Sequence, residues 1–312
     1  MENRVSQAFT VPSKTVFDGL SESINGWVCW DKFGPAGVNS EFIYICNPST
    51  RDLIKLPIAP PTWIFNSYHF GFDPCSQEFK VLNIQIPFSD SLGTNDELSF
   101  WIFTLGGNSW RRIHPALPSD FGHNEVCLFG QLGNCVCLNG ALHWIWTYKT
   151  TKSILVFNLR DENFCLIRIP NIRMSLGGKN FVLLQVDGHL VVLCYKSNFL
   201  NYETKDAAVL DPAVWTLEDY QDEVWIKDTL SCPYKTWWQR QYATIPAAGK
   251  ILLIGSPLAV AGPLRNHHLK VLCYDPKQRS ILGFQLPKLY EWRDFHIDGA
   301  ISYTESICHP FL

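Results

Sequence analysis

The sequence predicts an all-β protein, a β-propeller of four-stranded blades, and three observations carry that expectation. Short apolar strands joined by tight turns run the length of the 312 residues. Two kinds of hairpin alternate in fixed order, with a period of about 54 to 60 residues. Long amphipathic helical patterns are missing, because proline and glycine punctuate the chain too often to sustain them.

The elements follow in order. ESINGWVCWDKF (22–33) turns at Asn25-Gly26, a pair that accepts the positive φ values of a two-residue hairpin turn. YICNPSTRDLIKLP (44–57) runs through Tyr44, Ile45 and Cys46 and breaks at Asn47-Pro48-Ser49-Thr50. It resumes through Leu53, Ile54 and Leu56 and stops at Pro57. The next period begins with YHFGFDPCSQEFKVLNIQIP (68–87) and continues with SFWIFTLGGNSWRRI (99–113), where Trp110 leads the returning strand. The third holds CVCLNGALHWIWTY (135–148), turning at Asn139-Gly140, and SILVFNLRDENFCLIRIP (153–170), turning at Arg160-Asp161-Glu162-Asn163. FVLLQVDGHLVVLCYK (181–196), with Asp187-Gly188, and AVWTLEDYQDEVWIKDTL (213–230) form the fourth. YATIPAAGKILLIGS (242–256) and LKVLCYDPKQRSILGFQLP (269–287) form the fifth, Asp275-Pro276 standing where Asn47-Pro48 stands in the first.

Each period therefore holds four strands. Two packed β-sandwiches would also give short strands and tight turns, but they would not repeat the same pair of hairpins in the same order. Residues 293–310 read as one more inner hairpin and QAFTVP near the start as a strand. The expectation is one domain over residues 1–312 with six blades, the last closed by residues 1–21 and 293–310.

Composition narrows the function classes. A net charge of −3 and a pI near 6.3 argue against the strongly basic face of a nucleic-acid binder, and no partner of that kind is expected. No apolar run approaches the roughly 18 residues of a membrane helix, and MENRVSQAFTVPSKTVFDGL lacks the apolar core of a signal peptide. The cysteines number 11, and Cys29, Cys46, Cys194 and Cys273 sit in apolar strand runs, as small core hydrophobes do. There is no N-x-[ST] sequon. A reducing setting, cytoplasmic or nuclear, is expected.

Chemistry-bearing patterns are weak. Cys135-x-Cys137 with His143 has no second ligand pair at zinc spacing, since His267-His268 belong to another period, so no metal is expected. No G-x-S-x-G elbow is present, and Asp, Glu and His are scattered over turns, so no catalytic residue is assigned. Gly106-Gly107 and Gly177-Gly178 lack the Lys-Ser/Thr and helix start that cradle a phosphate and read as turn glycines; no cofactor is expected.

The pieces YICNPSTRDLIKLP, HFGFDPCSQEFKVLNI, FTLGGNSWRRI, LNGALHWI, ILVFNLRDENFCLIRIP, AVWTLEDY, VLCYDPKQRSI and the final YTESICHP lie in register over about residues 25 to 310. In this order the sequence resembles the F-box-associated domain of the plant F-box proteins. The resemblance implies a propeller-like substrate receptor, preceded in that family by a helical F-box that binds the Skp adaptor of a cullin-RING ubiquitin ligase. Residues 1–24 carry neither the Leu-Pro start nor the Leu/Arg/Cys/Trp-rich end of an F-box. Skp adaptor and cullin are expected as partners only if an F-box is supplied.

Loop length points to one working face. Turns within hairpins are short and polar; connections between hairpins and between blades, at 58–68, 88–97, 114–125, 196–207, 231–241 and 288–294, are long. Trp27, Trp30, Trp101, Trp110, Trp144, Trp146, Trp215 and Trp225 fall in strand patterns and are expected between blades. The long connections carry Trp63, Phe65, Phe199, Tyr202, Tyr234, Trp237, Trp238, Arg240, Tyr290 and Trp292, residue types that dominate protein-binding hot spots. The reading is a protein-interaction module whose target is unknown. The alternative is a propeller enzyme or a glycan-binding lectin that stacks sugars on the same aromatics.

Overall fold

A computed structural model describes residues 19–21, 23–33, 40–60, 65–86, 98–118, 135–148, 151–170, 179–196, 213–229, 239–245, 249–256, 270–275, 277–278 and 280–285. The described elements are strands in two compact units, one within Met1–Gln131 and one within Leu132–Tyr303. Among the described residues no helix is long and apolar enough to cross a membrane.

The first unit holds two four-stranded antiparallel sheets. One comprises β1 (Gly19–Leu20), β2 (Val28–Phe33), β3 (Ser40–Asn47) and β4 (Asp52–Leu56), each paired with the next. The other comprises β5 (Phe65–Asp73), β6 (Glu78–Ile86), β7 (Ser99–Thr104) and β8 (Arg111–Ile113). The second unit holds three more meanders. They are β9 (Val136–Leu138) to β12 (Asn163–Arg168) through β10 (Ala141–Tyr148) and β11 (Thr151–Asn158); β13 (Lys179–Val186), β14 (His189–Lys196), β15 (Ala213–Asp219) and β16 (Val224–Thr229); and β17 (Gln239–Ile245), β18 (Lys250–Ser256), β19 (Lys270–Asp275) and β20 (Ser280–Gln285). Each of the ten predicted hairpins is an antiparallel pair, and each period is one sheet. Gly19–Leu20, expected in the closing blade, instead pairs with Asp31 and Trp30 of β2, because it continues the first strand of the first hairpin back from the Ile24–Trp27 bridge and the Asn25-Gly26 turn. The remainder of the expected sixth blade lies outside the described residues.

Two turn chemistries account for most of the hairpins. Asn25-Gly26, Asn139-Gly140 and Asp187-Gly188 all have positive φ at both positions, near 50° and then between 76° and 79°, the two-residue turn that matches strand twist. The second kind is a four-residue loop behind an Asn or Asp. The Oδ1 of Asn47 accepts from Ser49 and Thr50 N–H, Asn158 from Arg160 and Asp161, Asp219 from Gln221 and Asp222, and Asp275 from Lys277 and Gln278. Asp73 accepts from Cys75 N–H in the same way. Four residues past that cap the chain enters the left-handed region at Arg51, Gln77, Glu162 and Glu223, with φ of 52° to 65°. The cap offsets part of the cost of a non-glycine residue there, typically 1 kcal/mol or more, by tying down N–H groups that would otherwise lie idle.

Alternating strand positions build the core. In the first unit Trp27, Cys29, Ile43, Ile45 and Leu56 of one sheet pack on Phe70, Phe79, Val81, Phe103 and Trp110 of the other. Phe70 stacks on Phe79 with centroids 5.6 Å apart, and Phe72 tilts onto the same ring at 4.8 Å. In the second unit Ile154, Val156 and Ile167 face Leu183, Val192 and Leu217, and Leu193 and Val214 face Ile251 and Tyr274. Trp27, Trp110, Trp144 and Trp146 are buried, and Trp101, Trp215 and Trp225 are half-buried against these clusters. Trp30 lies on the other face of its sheet, tilted against Tyr44 at 5.6 Å. Cys29, Cys46, Cys194 and Cys273 are buried thiols in strands, and burial pushes the Cys46 thiol up to about 11.

Candidate functional site

A four-stranded meander has two ends: the turns within its hairpins lie at one, and its remaining connections enter at the other. The face of β5–β7 that meets the first sheet changes character between these ends. Nearest the hairpin turns the paired rows are Phe72–Phe79 and Phe70–Val81–Phe103, all apolar. The next row is Tyr68–Asn83–Trp101, and the last, at the end where the long connections enter, is Asn66–Gln85–Ser99. Asn66, Asn83 and Gln85 are nonetheless buried. A buried amide costs free energy unless its donors and acceptors are met.

Gln85 meets all of them. Its Nε2 donates to the Pro60 carbonyl at 2.9 Å and to Asn66 Oδ1 at 3.1 Å, and its Oε1 accepts from Ser99 Oγ at 2.8 Å and Trp101 Nε1 at 3.0 Å. The amide orientation is fixed by chemistry, because an indole N–H only donates and a carbonyl only accepts. Asn83 Nδ2 donates to Asn66 Oδ1 at 3.0 Å, while its own Oδ1 is buried with no partner among the described residues. Trp110 Nε1 reaches back 2.7 Å to the Pro57 carbonyl. The chain leaving β4 is thus held at Pro57 by one buried side chain and at Pro60 by another. Between them Ala59 is buried and Ile58 is 56% exposed. Beside this segment an open hollow of about 630 Å³ is lined by Ile54, Leu56, Pro57, Phe103 and Leu105.

The expected contact residues distribute as follows. Phe65 opens β5 and Arg240 is the second residue of β17, each at the strand end where a long connection enters, so those connections are shorter than the sequence suggested. Trp63, Phe199, Tyr202, Tyr234, Trp237, Trp238, Tyr290 and Trp292 lie outside the described residues. The buried amides and the Pro57–Pro60 segment were missed, because Asn83 and Gln85 alternate with apolar residues in VLNIQI as solvent-facing residues do.

Elsewhere the titratable groups are tied into the framework. His143 on β10 is buried; its Nδ1–H donates to Val136 O at 3.1 Å, leaving Nε2 to accept from the Tyr220 hydroxyl at 2.9 Å. Burial holds its imidazole down at about 4. His143 pairs with Val136 while Cys137 pairs with Leu142, so the histidine and the Cys135-x-Cys137 cysteines occupy opposite faces of one sheet. Among the described residues no three His, Cys, Asp or Glu side chains are grouped for a metal. On β5, Ser67 Oγ lies 2.9 Å from His69 Nε2, and burial lowers that histidine to about 3. Asp73, the nearest carboxylate on the strand, instead receives Cys75 N–H and Ser76 Oγ and lies 3.6 Å from Lys80 Nζ.

The chain is 28% identical over 328 aligned positions to F-box protein At1g30790 of Arabidopsis thaliana, covering 97% of this chain and 73% of that one. It is 26% identical to F-box protein At5g65850 and 28% identical to F-box protein DOR of the same plant, over 77% and 59% of this chain and 55% and 42% of theirs. It thus spans about half the length of two of these relatives. Structural alignment with the β-propeller domain of the Trilobed protease from Pyrococcus furiosus gives a TM-score of 0.44 at 12% identity, over 88% of this chain and 72% of that one. Residues 2–304 match the F-box associated beta propeller domain, and with five consecutive four-stranded meanders among the described residues of that span the chain belongs to this family.

Proposed function

We propose that this chain is the target-recognition part of a plant ubiquitin-ligase receptor of the F-box type, a protein-binding module with no chemistry of its own. The observation that carries the reading is the family match over nearly the whole chain, with F-box proteins as its relatives. Its proposed contact residues are Trp63, Phe65, Phe199, Tyr202, Tyr234, Trp237, Trp238, Arg240, Tyr290 and Trp292, which the sequence places in or beside the connections between hairpins and between blades. The residue types support that choice, because aromatic and arginine side chains dominate protein-binding hot spots. The Skp adaptor and cullin join through an F-box, and the module works in the cytoplasm or nucleus.

A paired pull-down from Arabidopsis extract tests this, using the chain alone and the chain with an F-box fused in front, both read by mass spectrometry. Both are expected to retain the same non-ligase protein, and only the fusion to add the adaptor. Trp237→Ala with Trp238→Ala is expected to weaken that retention while leaving the urea midpoint unchanged. Retention of no protein by either form would refute the receptor reading.

A further inference from the structure

We infer that the last strand of a sheet is clasped near its end by an aromatic donor of the sheet that follows, and that these clasps, Trp110, Trp225 and Tyr274, position the connections that leave there. Separate meanders share no backbone ladder, so side chains must tie one to the next. Three pairs of consecutive sheets pack through a shared core cluster, and each pair has such a bond. In the first unit Trp110 Nε1, just ahead of β8, donates at 2.7 Å to the carbonyl of Pro57, the residue after β4. In the second unit Trp225 Nε1 on β16 donates at 3.0 Å to the carbonyl of Arg168, the last residue of β12. There too the Tyr274 hydroxyl on β19 donates at 3.0 Å to Oδ2 of Asp228, near the end of β16, whose Oδ1 accepts from Thr229 N–H at 2.8 Å. The partners lie 53, 57 and 46 residues apart, so nothing local in the chain requires them to meet.

Each donor is mounted in a core. Trp110 and Tyr274 are buried, and Trp225 packs half-buried against the cluster that holds Ile154, Val156 and Leu183. Two of the acceptors stand at the roots of connections that matter to recognition. The chain beyond Pro57 runs on to Trp63 and Phe65, and the chain beyond Asp228 to Tyr234, Trp237 and Trp238, all proposed contact residues. A connection whose first residue is already fixed has less conformational freedom to lose when a target binds. The clasps stand on geometry alone; their service to recognition rests on the receptor reading.

Hydrogen–deuterium exchange of the full chain, read by mass spectrometry, tests the clasps one at a time. Tyr274→Phe keeps the ring and removes the donor, and benzothienylalanine at position 110 does the same for the indole. Tyr274→Phe is expected to speed exchange about tenfold in peptides covering 229–241 and to leave 57–68 unchanged, because a bond to a carboxylate is lost. Benzothienylalanine at position 110 is expected to speed exchange about fivefold in 57–68 and to leave 229–241 unchanged. On Asp228→Ala, Tyr274→Phe should add nothing further in 229–241. Tyr274→Phe is also expected to weaken retention of the pulled-down protein at least fivefold. A contribution to general stability alone would raise exchange evenly over the sheets, so even acceleration, or none, overturns the inference. Local acceleration with full retention also overturns it, since the clasp would then position nothing the target touches. If acceleration is local and the wild-type chain retains no protein, the receptor reading falls and the clasps stand.

Discussion

Acidification is expected to destabilise this protein through two buried imidazoles. His143 and His69 are both buried, and burial holds them neutral down to about 4 and about 3. In the unfolded chain each takes a proton near pH 6.5. Their folded pKa values are depressed, so their contribution is fully present above pH 6.5 and is lost as pH falls toward the folded values. At pH 5 the unfolded histidine is about 1.5 units below its pKa while the folded one is still unprotonated. At roughly 1.4 kcal/mol per unit, that is about 2 kcal/mol per histidine and about 4 kcal/mol for the two. Urea unfolding at pH 7, 6 and 5, read by tryptophan fluorescence, measures the loss. His143→Gln removes one of the two groups, so the decline between pH 7 and pH 5 is expected to shrink by about half relative to wild type. Parallel curves for the two proteins would refute the argument, because the pH dependence would then come from other groups.

Three further outcomes follow from single contacts. Tyr220→Phe leaves Nε2 of buried His143 without its donor and is expected to cost about 1–3 kcal/mol in urea unfolding; the loss should not recur when Tyr220→Phe is made on His143→Leu. Gly249→Ala would drive a Cβ into the Asp187 carboxylate at a φ of +60°, and a loss of about 1–3 kcal/mol is expected in the same assay. Asn158→Ala removes the acceptor for Arg160 and Asp161 N–H and is expected to cost about 1 kcal/mol, whereas Asn158→Asp should cost little.

Much of the fold was legible because its signals are local. Asn25-Gly26, Asn139-Gly140 and Asp187-Gly188 declare their turns within two residues, and alternation then sets the strands around them. What was not legible depends on partners far along the chain. The strand read from Tyr68 in fact begins at Phe65; the register of its first residues comes from Ile86, 21 residues on. Asn83 and Gln85, alternating with Leu82, Ile84 and Ile86, look like the solvent face of a strand, and only the neighbouring sheet and the Pro60 carbonyl make them buried. The bond from Tyr220 to His143 spans 77 residues and leaves no trace in either local sequence. Glu162 and Gln77 in the left-handed region are likewise unremarkable letters, marked only by the Asn or Asp four places before.

That capped loop carries a consequence for how such proteins diversify. The frame consists of one Asn or Asp and a fixed length, and it reads nothing from the exposed side chains it encloses, such as Arg160, Asp161, Gln221 and Asp222; Leu159, buried in the core, and Tyr220, bonded to His143, are tied to their surroundings. The exposed positions can drift in charge and size while the strands on either side keep their register. A lineage that multiplies copies of this chain can rewrite one end of its sheets piecemeal, one socket at a time, without renegotiating the core.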